Sequence, residues 1–494
     1  MKTKKIIAVL AAAALTLQLA ACGGTGGGDF EHKATIDEPW WTTTGTLNKD
    51  SDGKIVYDNV TIRMTHVIGG TDMPTLNAIV DEFEDTHPGI TIVRDQISEA
   101  SYEKQTADAI MNNLNAPDLI LSHQRGHKNF ADNHLIQPFD EAIEASGITI
   151  SMNDYSESLA QYSDCDYDGY LFDVPVDARS NIVFYNKDML SKYELTVPQT
   201  HEELLNVCSV VAKGEKAAGN SGFLPIRWEY ESTFISRYTW TTCMVQNGAS
   251  FFGDMDGKKY RANWASDPDN LKAFQNGFQA MRDIVSPQNP QYAATKGAAG
   301  LDECLAGNFL LFFTTPWGMD ETLDAYRQKQ GNISFDELTK RVGAVSTAGW
   351  FALDPDSDNA QTVFGDSHFF AMSRTVTDIN KKAAICEFVK WFTQTPSVGA
   401  RWGEVGHYPA CTLVTSSEEF NSKPLVKNYL TKYIPDINKF QGFGCTPYYD
   451  DTFGEFYPLI VTVPLNSTAA QDASVIRAAA NTVNNMIDFI ETDF

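Results

Sequence analysis

The chain has 494 residues, 43% of them hydrophobic, which suffices for a large core and predicts two or three domains. Its net charge is −26, from 38 Lys and Arg against 64 Asp and Glu, and no basic stripe stands out. A surface this acidic repels nucleic acid and anionic headgroups, so nucleic-acid binding is set aside.

Lys2, Lys4 and Lys5 precede an apolar run from Ile6 to Leu15, and Leu19-Ala20-Ala21-Cys22 follows. A basic start, a short apolar stretch and small residues at a cut describe a secretory signal. The run is about half of the ~20 residues that a spanning helix needs. Its Leu-Ala-Ala-Cys ending resembles the lipobox of bacterial lipoproteins, which implies a signal over residues 1–21, a lipid on Cys22 and an extracytoplasmic location on the cell membrane. Residues 22–57, opening with Gly23-Gly24-Thr25-Gly26-Gly27-Gly28, are expected to form a flexible tether. Within it, Trp40-Trp41 is the pair suited to packing back on the body.

The folded part is expected from residue 58. Asn59–Met64 alternates like a strand, and Leu76, Ile79, Val80 and Phe83 then form one helical face, stopped by His87-Pro88-Gly89. Ile90–Val93 is a second strand and Asp118–Leu121 a third, beyond another helical stretch. Strands separated by helices predict a parallel α/β sheet. Ala384, Ile385, Phe388, Val389 and Phe392 make a late helical face. Besides Cys22 there are seven cysteines: Cys165, Cys208, Cys243, Cys304, Cys386, Cys411 and Cys445. Their wide spacing and the lack of Cys-x-x-Cys exclude a zinc ribbon and a dense disulfide scaffold. One or two disulfides and buried free thiols both stay open.

Several landmarks stand in order. They are Phe83-Glu84-Asp85-Thr86-His87-Pro88-Gly89-Ile90, then Ala116-Pro117-Asp118-Leu119-Ile120 with Leu135-Ile136-Gln137-Pro138-Phe139-Asp140. Asp173-Val174-Pro175 follows, leading to Ile182-Val183-Phe184-Tyr185-Asn186-Lys187-Asp188-Met189-Leu190. Ala306-Gly307-Asn308-Phe309 precedes Trp317-Gly318, and Lys381–Phe392 precedes Gly406-His407-Tyr408-Pro409. Together they resemble the family 1 extracellular solute-binding proteins of ABC importers, whose best-known relative is the maltodextrin-binding protein. The resemblance covers essentially residues 58–494. It implies an α/β, two-lobed periplasmic-binding-protein-like fold with an interlobe cleft and crossover hinge strands. Residues 58–177 and 349–395 are then expected in lobe 1, and residues 178–348 and 396–494 in lobe 2. Crossovers are expected near Pro175–Ser180, Val342–Ala348 and Thr395–Gly399. The implied partners are a small carbohydrate, most simply an oligosaccharide, and the permease subunits of an ABC transporter. Contact with the membrane is through the lipid alone, the chain is expected to be a monomer, and no cofactor or metal is implied.

Sugar sites combine flat aromatic platforms with polar hydrogen bonders. Trp228, Glu229 and Tyr230 sit together, Tyr238 and Trp240 follow, and the resemblance places cleft aromatics in this segment and at Trp317. Each of these aromatics could equally be core. Asp177 and Arg179 flank the first crossover. Arg179 falls where maltodextrin binders carry a cleft carboxylate, which points toward acidic or differently substituted sugars; the alternative is an ion pair with Asp173 or Asp177. Loops at the carboxyl ends of parallel strands bind ligands in open α/β sheets, which makes His66, Asp72, His123 and Arg125 candidates. Trp350 and Trp402 are placed for stacking or for packing. His123 and His127, four residues apart, have helical metal-ligand spacing, but Gly126 and the loop setting favour coincidence.

No Gly-x-Ser-x-Gly, His-Glu-x-x-His or P-loop is present, so no catalysis is expected. A surface-anchored glycoside hydrolase is the competing reading, with Asp450, Asp451 and Glu455 as its carboxyls. A binder of a non-sugar solute such as a polyamine, phosphate or iron is the other.

Overall fold

The computed structural model describes residues 34–232, 236–286, 291–296, 300–316, 318–444, 446–448, 452, 465–466 and 468–493. The signal, Cys22, Trp317, Cys445 and the Asp450, Asp451 and Glu455 cluster lie outside the described residues.

Strands run in chain order as β1 Val60–His66, β2 Ile90–Gln96, β3 Leu119–His123, β4 Ile136–Gln137, β5 Asp173–Arg179 and β6 Ile182–Asn186. They continue as β7 Ile226–Arg227, β8 Gly253–Met255, β9 Lys258–Arg261, β10 Ala293–Ala294 and β11 Leu311–Thr314. The last are β12 Val342–Val345, β13 Val363–Phe364, β14 Asp366–Ser373, β15 Tyr408–Pro409 and β16 Phe440–Gln441.

The first sheet has the order β15-β5-β14-β3-β1-β2, with β4 pairing beside the end of β14. β1 pairs in parallel with β2, Val60 opposite Ile90, and with β3, Met64 opposite Leu119. The helix Met73–Thr86 between β1 and β2 buries Leu76, Ile79, Val80 and Phe83, as its spacing predicts. Gly89 ends the turn at φ +95°, and a Cβ there would stand 2.0 Å from the Tyr57 carbonyl oxygen, so only glycine fits. β14 runs antiparallel between β3 and β5, and every one of its residues is buried. The second sheet has the order β10-β7-β11-β6-β12.

Passage between the sheets is abrupt. β5 ends at Arg179 in the first sheet and β6 begins at Ile182 in the second, leaving Ser180 and Asn181 as the link. The Ser180 hydroxyl donates to the Phe364 carbonyl at 2.7 Å, tying this link to β13, which immediately precedes β14. The expectation that residues 396–494 all belong with the second lobe needs correction. β15 is an edge strand of the first sheet, antiparallel to β5. The C-terminal helix Asp472–Asp493 packs against the helix Pro268–Val285, where the Asp472 carboxylate pairs with Arg282.

Residues 34–57 are not a free tether. Ala34 bridges to Tyr167 and Thr44 to Asp378, both in parallel. The Trp40 indole donates to the Ile136 carbonyl at 2.8 Å and stacks on His134, and Trp41 donates to Glu141 at 3.1 Å. Composition pointed to a solvated segment, but two indoles bury more apolar area than the polar neighbours oppose. Trp41→Ala is expected to cost about 3 kcal/mol, the low end for a truncated buried tryptophan. A urea midpoint unchanged from wild type would mean the segment is only laid on the surface.

Cys165, Cys208, Cys243, Cys304, Cys386 and Cys411 are buried free thiols, and burial pushes the Cys304 thiol up to about 12. Among the described residues no helix is long and apolar enough to cross a membrane.

Candidate functional site

The carboxyl ends of β1, β2 and β3 point the same way, and the chain leaving each supplies polar side chains. β1 leads to Asp72, β2 to Glu99, and β3 ends in His123 and runs on to Arg125. The ends of β5 and β14 that hold Arg179, Asp177, Asp366 and His368 lie beside them, and the turn before β15 brings His407. Five of the polar sequence candidates, Asp72, His123, Arg125, Asp177 and Arg179, therefore meet in one place. Asp366, His368, His407, Glu99 and Arg237 complete the cluster without having been singled out.

Two carboxylates organise it. Asp366 Oδ2 pairs with Arg125 Nη1 and lies 3.2 Å from His123 Nδ1, 3.4 Å from the Tyr238 hydroxyl and 3.8 Å from Arg179 Nη2. Burial alone would raise its carboxyl, but the Arg125 and Arg179 charges override that and hold it well below the usual carboxylate range. Arg179 Nη2 donates to His123 Nδ1 at 2.8 Å. A guanidinium has no acceptor, so that nitrogen is the unprotonated one, and the other, Nε2, faces Glu99 Oε1 at 3.4 Å. Burial and the Arg125 charge hold His123 neutral, well below its ordinary value. Glu99 also faces Arg125 at 3.1 Å and Arg237 at 3.6 Å.

Asp177 is the second. It accepts from the His368 backbone N–H at 3.1 Å and from the Trp402 indole at 2.8 Å, and it faces Nδ1 of His368 and Nδ1 of His407, each at 2.9 Å from Oδ2. Burial opposes its charge, yet the two imidazoles keep it well below the usual range. The alternative of an ion pair between Arg179 and Asp173 or Asp177 is not seen among the described residues; Arg179 turns to His123 and Asp366. Asp173 instead holds His127 at 2.7 Å, and His127 Nε2 meets the Ser122 hydroxyl at 2.7 Å. This Ser-His-Asp chain has hydrolase-like spacing but is buried throughout, with the Cys165 thiol on the other Asp173 oxygen. It offers no route for a substrate, and His127 is not paired with His123.

The aromatic candidates divide. Tyr238 carries Arg237 over its ring at 4.8 Å and belongs to the cluster, as does Trp402, which stacks on His407 at 4.1 Å. Trp228, Tyr230, Trp240 and Trp350 share the second-sheet core with Tyr238 but do not touch the polar cluster among the described residues. Trp228 lies 5.2 Å from Phe313 and 5.0 Å from Trp240, and the indoles of Trp240 and Trp350 donate to the carbonyls of Tyr230 and Pro198. A stacking platform needs an open face, and these have none. The Trp228 N–H meets no acceptor among the described residues. Glu229 is partly exposed and pairs with Arg227 at 3.2 Å.

His66, at the end of β1, is buried and faces the Ile68 carbonyl through Nδ1 at 3.1 Å. Burial lowers it to about 4. A depressed imidazole binds its proton in the unfolded chain first, so the stability it contributes is whole above about 6.5 and is lost as pH falls toward 4. Between pH 7 and 4.5 the wild type is expected to lose about 2 kcal/mol more than His66→Gln in urea titrations. Equal losses would show that His66 takes up its proton inside the fold.

What could reveal the missed residues is position within a strand. Asp366 and His368 open a strand that continues Phe369-Phe370-Ala371-Met372, and a charged residue on so apolar a strand needs a partner.

The fold is matched among known proteins. The structure resembles the sugar-binding protein MalE of Xanthomonas citri, with a TM-score of 0.65 at 16% identity, covering 87% of this chain and 99% of that one. It also resembles UgpB of Mycobacterium tuberculosis, solved with glycerophosphocholine, with a TM-score of 0.63 at 14% identity over 87% and 98%. These likenesses give the two-lobed α/β fold of periplasmic binding proteins. Among curated sequences, the sn-glycerol-3-phosphate-binding periplasmic protein UgpB of Pectobacterium atrosepticum is 23% identical over 160 residues, 32% of this chain and 36% of that protein. The chain thus spans little more than a third of that relative's length. The model of a family described as bacterial extracellular solute-binding protein matches residues 78–428, and the chain belongs to that family.

Proposed function

We propose that the chain is the solute receptor of an ABC importer, that it captures a carbohydrate, most simply an oligosaccharide, between its two lobes, and that it does no chemistry on it. The observation that carries this reading is the convergence of Asp72, His123, Arg125 and Arg179 at the carboxyl ends of β1, β3 and β5. The helix Arg237–Val245, which follows β7 of the second sheet, sends Arg237 toward Glu99 and Tyr238 toward Asp366. Ligand contacts to both lobes are what a closing hinge requires, since only differential affinity shifts an open–closed balance. Delivery to permease subunits and a lipid on Cys22 complete the reading; the Leu-Ala-Ala-Cys segment supports the latter. A phosphorylated polyol is the second reading, favoured by the guanidinium groups of Arg125, Arg179 and Arg237 and by the curated relatives.

The test is calorimetry against mono- and oligosaccharides and glycerol 3-phosphate, with glycans recovered and chromatographed. Saturable binding of an uncut oligosaccharide, weakened at least tenfold, or about 1.4 kcal/mol, by Arg179→Ala, is the expected result. Binding of glycerol 3-phosphate alone selects the second reading. Cleaved glycan overturns the non-enzymatic one.

A further inference from the structure

Asp177, His368 and His407 come from three separate parts of the first sheet: β5, β14 and the turn before β15. All three are buried, and one ligand atom from each lies within 4.8 Å of the others, the one such group among the described residues. Both imidazoles present Nδ1 to the same oxygen, Asp177 Oδ2, at 2.9 Å. Around them stands an outer set of groups. His407 Nε2 faces Asp72 Oδ2 at 3.1 Å, Asp72 is in turn held by the Thr71 hydroxyl at 3.2 Å, and the Trp402 indole fixes Asp177 Oδ2 at 2.8 Å. An imidazole backed by a carboxylate on its far nitrogen is the usual support of a metal-ligating histidine. The far nitrogen of His368 has no hydrogen-bond partner among the described residues, and that ring is oriented through Nδ1 and by stacking on His123 at 5.0 Å.

We propose that this junction binds one divalent first-row transition cation, zinc fitting best, through Asp177 Oδ2, His368 Nδ1 and His407 Nδ1, with a fourth position open. Two imidazoles and a carboxylate are a zinc donor set, and ligands at about 2.0–2.1 Å in a tetrahedron stand about 3.3 Å apart. The observed 2.9 Å contacts need to open by only a few tenths of an ångström to admit the ion. The cation would take the place of the imidazole protons and release them. Two carboxylates, Asp177 and Asp72, favour its charge, and Arg179, near enough to act on both Asp72 and His368, opposes it. Bound there, it would pin the crossover strand β5 to β14 and to the β15 turn. The proposal does not depend on the identity of the solute.

The full chain, stripped with a chelator and dialysed, is titrated with ZnCl2 by calorimetry with no sugar present, and with Co2+ by visible absorption. One equivalent of Zn2+ taken up, and ligand-field bands of tetrahedral Co2+, are expected. Asp72→Asn should weaken Zn2+ binding roughly 10–100-fold. His368→Asn, which keeps a donor toward Asp177, should abolish uptake. No uptake by the wild type, or uptake unchanged in Asp72→Asn, overturns the proposal even where His368→Asn does not fold.

Discussion

Asp366→Ala is expected to destabilise the chain by about 3–5 kcal/mol, the cost of breaking a buried ion pair from one side. The reason lies in what is left behind. Asp366 is 1% exposed, and its Oδ2 is shared by Arg125, His123, Arg179 and Tyr238. Arg125 and Arg179, themselves mostly withdrawn from water, would keep their charge, because a guanidinium does not deprotonate in a protein. Glu99, which also faces Arg125, is 38% exposed and screened by solvent. Glu99→Gln should therefore cost less than about 1 kcal/mol. The contrast between the two variants is the measurement, taken as urea midpoints at pH 7. A loss below about 1 kcal/mol for Asp366→Ala would mean that the guanidinium groups turn out to water, and the cluster would then be a wet cleft surface rather than a closed hub.

How much of this was readable beforehand follows from the range of the interactions involved. The strand–helix–strand of residues 60–96 is local: its helix shows a four-residue apolar face, and its stop needs a glycine. The polar candidates after β1 and β3 were readable because parallel strands deliver their loops to one end. Asp366 and His368 were not, because their meaning depends on pairing with β3 and β5 far away in the chain. Antiparallel insertion of β14 into an otherwise parallel run leaves no periodic mark. Residues 34–57 failed for the same reason: their bonds go to Ile136, Glu141 and Asp378, and composition reports none of these. The placement of β15 is another long-range pairing, with β5, that no local pattern announces. Aromatic abundance correctly pointed to large flat side chains, but abundance does not say which face of an element they take.

Trp240→Ala separates the two meanings of an aromatic residue in this segment. Trp240 is fully buried, tilts against Trp228 with ring centroids 5.0 Å apart, and donates its indole N–H to the Tyr230 carbonyl at 2.8 Å. Truncation removes the packing of a large ring and leaves that buried carbonyl without its donor, so a loss of about 3–5 kcal/mol is expected. The helix Arg237–Val245 that carries Trp240 also carries Arg237 and Tyr238 into the polar cluster. Its far side is therefore the support, and its near side the contact. On this account the folded fraction of Trp240→Ala binds its solute with an affinity within a few-fold of wild type, while its urea midpoint falls sharply. Tyr238→Phe should behave in the opposite way, with the ring and its packing retained but the hydroxyl facing Asp366 removed. If Trp240→Ala instead kept its stability and lost affinity, the indole would be a ligand platform, and the core of the second sheet would have to open toward the cleft when the solute is bound.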